Sequence, residues 1–261
     1  IKKIIRSSIS DLICKGVYPK YYFISASVNK KNFNKLKLKK IIESLRAEQK
    51  KYKIYLAGGD TVFSNKLSFT IISVGISKNI VYRNKAKIYD DIYVTGNLGD
   101  SFAGLLTIKK QIRINSYLKK YFIKKHYLPD IKFSLIKSLR KIANTSIDIS
   151  DGLVADMEKL INNQNLSYQI FLEKIPISSN LSKILKKNKL LKENFISNGD
   201  DYEILFTANK NNRSLIKKIA KKYKTKITRI GFIKKNTTKS SVLNALNSKI
   251  ILKNKGYFHN F

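Results

Sequence analysis

The chain has 261 residues, enough for one large domain or two modest ones, and its 43% hydrophobic content suffices for a packed core. Its single cysteine, Cys14, excludes an intramolecular disulfide framework, and no apolar run approaches the ~20 residues that span a bilayer. Lysine and arginine number 53 against 17 acidic residues, a net charge of +36 that on its own indicates solubility and non-specific association rather than a fold.

The positive charge has two interpretations. The lysines are spread along the whole chain and accompany abundant Asn, Ile, Tyr and Phe, which is typical of a protein encoded in an adenine- and thymine-rich genome. The alternative is a basic nucleic-acid-binding protein, but the chain has no clustered aromatic and basic motif to support a specific nucleic-acid partner. The absence of a signal-peptide pattern, together with the single cysteine, predicts a cytoplasmic protein with no membrane partner.

The first part of the chain predicts two helices and three strands before the apolar pattern lapses at residues 78–84. Helices are predicted at 1–13 and 33–50, and strands at 21–27, 53–57 and 67–75. The strand at 53–57 is predicted to stop at Gly58-Gly59-Asp60-Thr61, because glycine and aspartate favour turns. The lapse at 78–84 indicates a domain boundary, which divides the chain into residues 1–80 and 81–261.

The second part predicts a longer alternation of strands and helices. Strands are predicted at 91–95, 168–172, 204–207 and 226–231, with helices at 101–108, within 110–141, after Pro176 through Leu185, and at 214–223. A hairpin-like region is predicted to close the chain. Strands that alternate with helices indicate an α/β or α+β fold.

Acidic residues recur at the ends of these predicted elements. They are found at Ser10-Asp11, Gly59-Asp60, Asp148 with Asp151, and Gly199-Asp200-Asp201. The stretch 145–156 predicts a strand end, an acidic turn and a helix start, which would bring carboxylates and backbone N–H groups together. Carboxylate oxygens suit Mg²⁺, and Mg²⁺ suits nucleotide phosphates. The alternative is that Ser150 or Asp151 only caps the helix.

The order of these motifs resembles the thiamine-monophosphate kinase family. The stretches that carry the resemblance are Ser10-Asp11-Leu12, Gly58-Gly59-Asp60-Thr61, residues 91–96, Ile147-Asp-Ile-Ser-Asp-Gly-Leu153 and Gly199-Asp-Asp-Tyr-Glu-Ile-Leu-Phe-Thr207, with Gly256-Tyr-Phe-His259 at the end. The acidic Ser-Asp-Gly motif is shared with the wider superfamily of aminoimidazole ribonucleotide synthetase. The resemblance implies two domains: an N-terminal ATP- and metal-binding domain, whose sheet pairs into a barrel across a homodimer, and a C-terminal α/β domain.

The resemblance also implies an activity and a set of site residues. The family transfers a phosphoryl group from ATP to thiamine monophosphate and requires Mg²⁺, and this chemistry needs no side-chain nucleophile. Metal ligands would be Asp11, Asp60, Asp148 and Asp151, and ATP would contact Gly59, Asp60, Arg83 and Ser150. The substrate would meet Asp200 and Tyr257. For some of these residues a purely structural role stays open, namely a solvated Arg83, a packed Tyr257, and turn-forming Asp200 and Asp201.

The chain departs from the family pattern in several places. The family's opening segment, with a Gly-Asp-Asp turn and an Asp-Thr pair, has no counterpart before Asp11, which keeps an inactive remnant of the kinase as an alternative. Asp200 stands where the family usually has Glu, one methylene longer. Another ATP-using synthetase of the same superfamily is a further alternative.

Overall fold

The N-terminal region forms a three-stranded sheet flanked by two helices. The structure, a computed structural model, describes residues 1–29, 33–237 and 239–257. The elements in order are α1 (Lys2–Cys14), β1 (Pro19–Val28), α2 (Lys35–Tyr52), β2 (Tyr55–Phe63) and β3 (Ser68–Gly75). β1 lies in the centre, parallel to β2 and antiparallel to β3. The parallel pair is joined by α2, as a parallel pair requires a crossover.

Strand β2 is longer than the sequence predicts. The prediction of a strand that stops at Gly58 is wrong, because β2 continues through Gly58, Gly59 and Asp60 and stays paired with β1. At Gly59 the two backbones approach so closely that a Cβ atom would lie 1.8 Å from the Ile24 carbonyl oxygen. The glycine therefore permits a close strand contact rather than a turn.

The two faces of this sheet differ. On the inner face, Tyr22 is fully buried and the Ser73 hydroxyl lies 2.8 Å from the Ser8 hydroxyl of α1. On the outer face, the register pairs Phe23 with Ile72, and these side chains are 43% and 61% exposed. Other large apolar side chains at exposed positions of this sheet are Tyr21, Tyr55, Leu56, Val62, Phe63 and Val74. One face is therefore packed at β1 and β3 and the other is open, whereas β2 is exposed at nearly every residue.

The C-terminal region forms a six-stranded mixed sheet with helices on its faces. Its elements in order are β4 (Asp91–Thr95), α3 (Asp100–Ile108), α4 (Ser116–Tyr127), α5 (Ile136–Ile142), β5 (Thr145–Asp148), α6 (Leu153–Ile161), β6 (Leu166–Phe171), α7 (Ser179–Lys187), α8 (Lys192–Ile196), β7 (Ile204–Ala208), α9 (Arg213–Lys222), β8 (Ile227–Lys235) and β9 (Ser241–Leu243). The strand order is β5-β7-β4-β8-β6-β9, and β6 with β9 is a parallel pair.

Helix α1 joins the two sheets. Its buried stripe of Ile5, Ile9 and Ile13 belongs to one hydrophobic cluster with Tyr22 of the first sheet and Phe206 of the second. A separate cluster under α6 fills the other face of the six-stranded sheet. Because α1 packs against both sheets, the acidic Ser10-Asp11 pair near its end is placed at their junction.

The architecture agrees with the predicted fold class, a mixed α/β structure with two sheets. The element types also agree for most of the chain, although the short helix α8 has no counterpart in the prediction. None of the helices in the described ranges is long and apolar enough to cross a membrane.

Candidate active site

The turn after β5 is organised by a buried carboxylate. The backbone N–H groups of Ser150, Asp151 and Gly152 donate to Asp156 Oδ2 at 2.9, 2.9 and 3.1 Å. Asp156 lies in the first turn of α6 and is fully buried. The backbone donors expected at this turn are thus occupied by the chain itself. The N-cap of α6 is Gly152, with no side-chain cap, so neither Ser150 nor Asp151 caps the helix.

Asp11 and Asp148 form a pair of carboxylates in one cavity. The cavity has a volume of about 490 Å³ and is lined by both side chains together with Ser150 and residues of α1 and β3. Burial, followed by the neighbouring Asp11 charge, raises the pKa of Asp148 to about 7. The protein packed around the Asp11 carboxyl raises its pKa too, and Lys15 is the largest effect that opposes the rise. Two neighbouring carboxylates with raised pKa values favour a bound cation.

Arg83 lies on the side of this pair where α1 ends. The Val81 N–H donates to the Lys15 carbonyl at 3.0 Å, and Thr145 Oγ1 donates to the Tyr82 carbonyl at 2.7 Å. These bonds hold the connecting segment between α1 and β5. Arg83 is exposed, and its charge opposes part of the rise in the pKa of Asp11; burial lowers the pKa of Lys15, and the Arg83 charge adds to that lowering. The guanidinium is therefore close enough to influence Asp11 and exposed enough to meet an anion.

The loop before β7 lies directly on the turn. The Asp200 N–H donates to the Ser150 carbonyl and the Tyr202 N–H to the Ile149 carbonyl, each at 2.8 Å. Gly199 has φ +65°, and a Cβ there would lie 2.2 Å from the Ser150 carbonyl oxygen, so only glycine allows this contact. The predicted substrate residue Asp200 is in this way joined to the predicted ATP residue Ser150.

The Asp200 side chain has two basic neighbours that none of the sequence motifs contains. Lys3 Nζ lies 2.6 Å from Asp200 Oδ2, and His126 Nδ1 lies 3.5 Å from the same oxygen. Lys3 Nζ also lies 3.2 Å from His126 Nε2. Burial, then the Lys3 charge, lower the pKa of His126, and together they outweigh the opposing effect of Asp200. Lysine is so frequent in this chain that sequence alone gave no signal for Lys3.

Two further acids of the loop are buried and serve the fold. Both Asp201 carboxylate oxygens accept the Gly99 N–H, at 2.9 and 3.1 Å. Glu203 Oε1 lies 3.0 Å from Lys132 Nζ, and Thr95 Oγ1 donates to Glu203 Oε2 at 2.5 Å. Burial raises the pKa of both carboxyl groups. Asp201 and Glu203 therefore anchor the loop to β4 and its following turn.

The C-terminal segment reaches the other side of the same turn. The Tyr257 N–H donates to the Asp151 carbonyl at 2.8 Å, and the Ala155 N–H donates to the Lys255 carbonyl at 3.0 Å. The Asp151 carboxylate forms an ion pair with Lys159. Tyr257 is thus beside Asp151, with 59% of it exposed. His259, the last residue of the C-terminal motif, lies outside the described residues.

Asp60 and Gly59 are separated from this cavity within the chain. Asp60 pairs in register with Ser25 and belongs to the open face of the sheet, whereas α1 covers the other face. It does not line the cavity shared by Asp11 and Asp148. The structure therefore gathers Asp11, Asp148 and Ser150 in one cavity and places Asp151, Asp200 and Tyr257 around the same turn, while β2 lies apart.

The carboxylate pair fits a magnesium ion in part. No three His, Cys, Asp or Glu side chains among residues 1–29, 33–237 and 239–257 converge on one metal position. Mg²⁺ commonly binds one or two carboxylates and completes its shell with waters and substrate phosphates. Asp11 and Asp148 supply that number of ligands, so the donor set suits a cation that shares its shell with phosphate.

Comparison with known proteins finds relatives that align with nearly the whole chain. The family model for the N-terminal domain of AIR synthase related proteins matches residues 2–77. Thiamine-monophosphate kinase of Buchnera aphidicola subsp. Acyrthosiphon pisum (strain APS) is 39% identical over 263 residues, which cover 98% of this chain and 79% of that protein. Thiamine-monophosphate kinase of Bacillus subtilis (strain 168) is 31% identical over 264 residues, 98% of this chain and 80% of the relative.

A solved structure extends the likeness to three dimensions. AaThiL complexed with AMPPCP and TMP has a TM-score of 0.84 and 26% identity, and the match covers 99% of this chain and 81% of that chain. The resemblance drawn from the motifs is therefore confirmed by identity across nearly all of the chain and by the fold. The chain belongs to the thiamine-monophosphate kinase family.

Proposed function

We propose that this protein transfers the terminal phosphoryl group of ATP to thiamine monophosphate, giving thiamine diphosphate and ADP. One observation carries the proposal: the turn at residues 148–152 is where the cavity with Asp11 and Asp148 meets the loop with Asp200 and the segment with Tyr257. The relative AaThiL, solved with AMPPCP and TMP, has the same fold. Phosphoryl transfer asks mainly for positioning and charge neutralisation, which this junction of elements supplies.

Asp11 and Asp148 would hold Mg²⁺. The ion would neutralise phosphate charge and align donor and acceptor when bound. Asp148 is 3% exposed and is the last residue of β5. Its burial at the end of a strand would fix the position of one metal ligand. Asp151 stays a candidate ligand that would have to leave Lys159, and Asp60 stays one that would have to reach the site from the open face of the sheet.

Arg83 and Ser150 would contact the phosphates of ATP. Arg83 is exposed, and its charge acts on the neighbouring Asp11 carboxylate. A guanidinium can hold a phosphate through two parallel N–H···O hydrogen bonds. The Ser150 side chain lines the cavity, whereas its N–H is engaged by Asp156. Asp200, held by Lys3, and Tyr257 would meet thiamine monophosphate from either side of the turn.

A direct assay tests the function. The purified chain is supplied with ATP, Mg²⁺ and thiamine monophosphate, and thiamine diphosphate is measured; thiamine, which lacks the acceptor phosphate, serves as the substrate control. Asp148→Asn should lower turnover by at least about 100-fold, since an amide is a poor ligand for Mg²⁺. Folded wild-type protein that forms no thiamine diphosphate, or an Asp148→Asn variant with full turnover, would refute the proposal.

We also infer a homodimer formed through the open face of the first sheet. The outer-face residues Tyr21, Phe23, Tyr55, Ile72 and Val74 form an apolar surface on one side of three adjacent strands. A self-complementary pairing of two such sheets would remove this surface from water. The division of the chain into residues 1–80 and 81–261 is supported by the two separate sheets on either side of it.

We infer a cytoplasmic location, where ATP is available and a free thiol stays reduced. Cys14 is buried and unbridged, which fits a reducing compartment.

A further inference from the structure

A second cavity lies at the opposite edge of the six-stranded sheet from the candidate active site. β5 and β4 are both antiparallel to β7 and therefore run in the same direction. Asp148 ends β5, whereas Asp91, which lines the second cavity, begins β4. The cavity has a volume of about 280 Å³ and none of the residues assigned to the active site lines it. It is therefore independent of the kinase site.

One buried carboxylate fixes two arginines at this cavity. Asp91 accepts from Arg213 Nε and Nη2 at 2.5 and 2.8 Å, and from Arg229 Nη1 at 2.9 Å. The Asp91 side chain is 1% exposed, whereas those of Arg213 and Arg229 are 46% and 42% exposed. The hydrogen bonds and charges of both arginines outweigh the effect of burial and lower the pKa of Asp91. Buried Asp91 thus fixes the orientation of both guanidinium groups, which remain partly exposed to solvent.

Two lysines add to the positive charge. Lys174 Nζ lies 4.2 Å from the centre of the Phe171 ring, and Lys210 Nζ lies 5.2 Å from the centre of the Tyr89 ring. With the two arginines, four cations line a cavity that contains a single carboxylate. An anion of charge −2 would reduce this excess of positive charge. The paired N–H groups of an arginine, its fork, suit the oxygens of a phosphate.

Aromatic rings form the apolar part of the cavity. Phe171 ends β6 and Phe232 lies on the neighbouring strand β8, with ring centroids 6.2 Å apart and planes tilted by 43°. Both rings are partly exposed toward the cavity they line. Lys174 lies over the Phe171 ring, so a planar heteroaromatic group such as a nucleobase stacks on this ring once the ammonium has moved aside toward the anion.

We propose that this cavity binds a nucleoside monophosphate, with the base against Phe171 and Phe232 and the phosphate at Arg229 and Lys210. The volume lies just below the range of about 300–1,000 Å³ of drug-sized pockets, which suits one base and one phosphate. This site is separate from the proposed kinase function and does not depend on it.

Calorimetry with adenosine 5′-monophosphate and ribose 5-phosphate tests the site in the full chain with EDTA present. Arg229→Ala should weaken binding of both probes by at least about 10-fold through loss of the phosphate contact. Phe171→Leu keeps an apolar, uncharged side chain but removes the ring, and it should weaken binding of the nucleotide at least about 5-fold, while binding of the sugar phosphate changes less than about twofold. Lys218→Ala, an equal loss of charge on exposed α9 outside the cavity, should leave both affinities within about twofold.

Several outcomes would overturn the proposal. They are the absence of saturable nucleotide binding up to about 5 mM, equal losses for Arg229→Ala and Lys218→Ala, and unchanged nucleotide affinity in Phe171→Leu. Loss of binding in Asp148→Asn would assign the nucleotide to the kinase site and would overturn it too. If Arg229→Ala melts at a lower temperature, Arg229→Lys, which keeps the charge but not the fork, replaces it and should weaken both probes by about threefold or more.

Discussion

Asp156 holds the turn at 148–152 through three backbone N–H groups. A carboxylate suits this role because hydrogen bonds to a charged acceptor are stronger than neutral ones. The free-energy cost of burying the Asp156 carboxylate is offset by these three hydrogen bonds and by the nearby charge of Lys159. The residue is thus a structural partner of the site rather than a ligand, and its position in the first turn of α6 suits a negative charge.

We expect Asp156→Asn to destabilise the protein by about 1.5–3 kcal/mol and to lower turnover, because the amide loses the charge that three donors share. Denaturant unfolding and steady-state kinetics measure the two effects. The control is Glu158→Gln on the same helix, which loses the ion pair with Lys255 but keeps a side-chain oxygen that can accept from Tyr168. It should cost less than about 1 kcal/mol. Equal stability of both variants would contradict the role given to Asp156.

His126 makes stability depend on pH in a definite direction. Burial, then Lys3, lower its pKa from the ordinary value of 6.5, so the folded protein binds this proton less readily than the unfolded chain. The contribution to stability is complete above the unfolded pKa and is lost as pH falls through the folded pKa.

We expect the wild type to lose stability relative to His126→Gln between pH 7 and pH 5, by no more than about 1.4 kcal/mol per pH unit, the limit for one proton. Urea unfolding at several pH values measures the difference. Both proteins share all other titrating groups, so the comparison reports His126 together with Lys3 and Asp200, the two charged groups that contact it. A difference that stays constant, or that grows in favour of the wild type as pH falls, would show that the direction is wrong.

At the scale of the element, the C-terminal segment presents Tyr257 to the turn through close backbone packing. A Cβ atom on Gly256 would lie 2.3 Å from the Ala155 Cβ and 2.9 Å from the Asp151 carbonyl oxygen. We expect Gly256→Ala to displace the segment and to raise KM for thiamine monophosphate by about 5-fold or more with a smaller change in kcat. Ser248→Ala, in the same C-terminal region, is the control and should leave KM within about twofold.

An unchanged KM in Gly256→Ala would mean that the segment does not carry a substrate contact. A parallel loss of kcat and stability would instead indicate that the substitution disturbs α6, and thermal melting distinguishes that case because the segment contributes little to the core.

The elements that sequence predicts well are those whose periodicity matches their burial. The apolar stripe of α1 follows the core, and the predicted bounds of this helix differ from the observed ones by one residue at each end. The alternation of β3 predicts the strand but not its buried face, because Ile72 and Val74 lie on the open face. The glycines of β2 predict a turn but lie inside a strand, because glycine is favoured both in turns and where two strands approach closely. The role of Asp156 was missed because an acid early in a helix is common, and only the fold shows which donors it accepts.

The spatial relation of the site residues was less predictable than their identity. Motif order pointed to Asp11, Asp148 and Asp200, but their distances depend on how α1 sits between two sheets, which no local pattern encodes. Lys3 and His126 meet beside Asp200 although more than a hundred residues of sequence separate them. In a chain with 53 basic residues, composition cannot separate such a lysine from the solvated majority.

At the scale of the whole molecule, the apolar open face favours association of two chains, whereas the strong positive charge opposes it. A net charge of +36 opposes association of identical chains, most strongly at low ionic strength. The face itself is apolar, with Phe23, Ile72 and Val74 exposed on adjacent strands. Pairing of the faces is therefore expected to be driven by burial of apolar surface and to tighten as salt screens the charges.

We expect the wild type to be a dimer at physiological salt and Ile72→Lys to dissociate it. Ile72 pairs with Phe23 at the middle of the open face, where a desolvated ammonium would cost at least about 2 kcal/mol, or roughly 30-fold in the dissociation constant. Light scattering coupled to size exclusion measures the mass. Ile251→Lys is the matched control, because Ile251 is 93% exposed in the C-terminal region and lies outside this sheet. A monomeric wild type, or equal dissociation in both variants, would show that the open face is not the dimer interface.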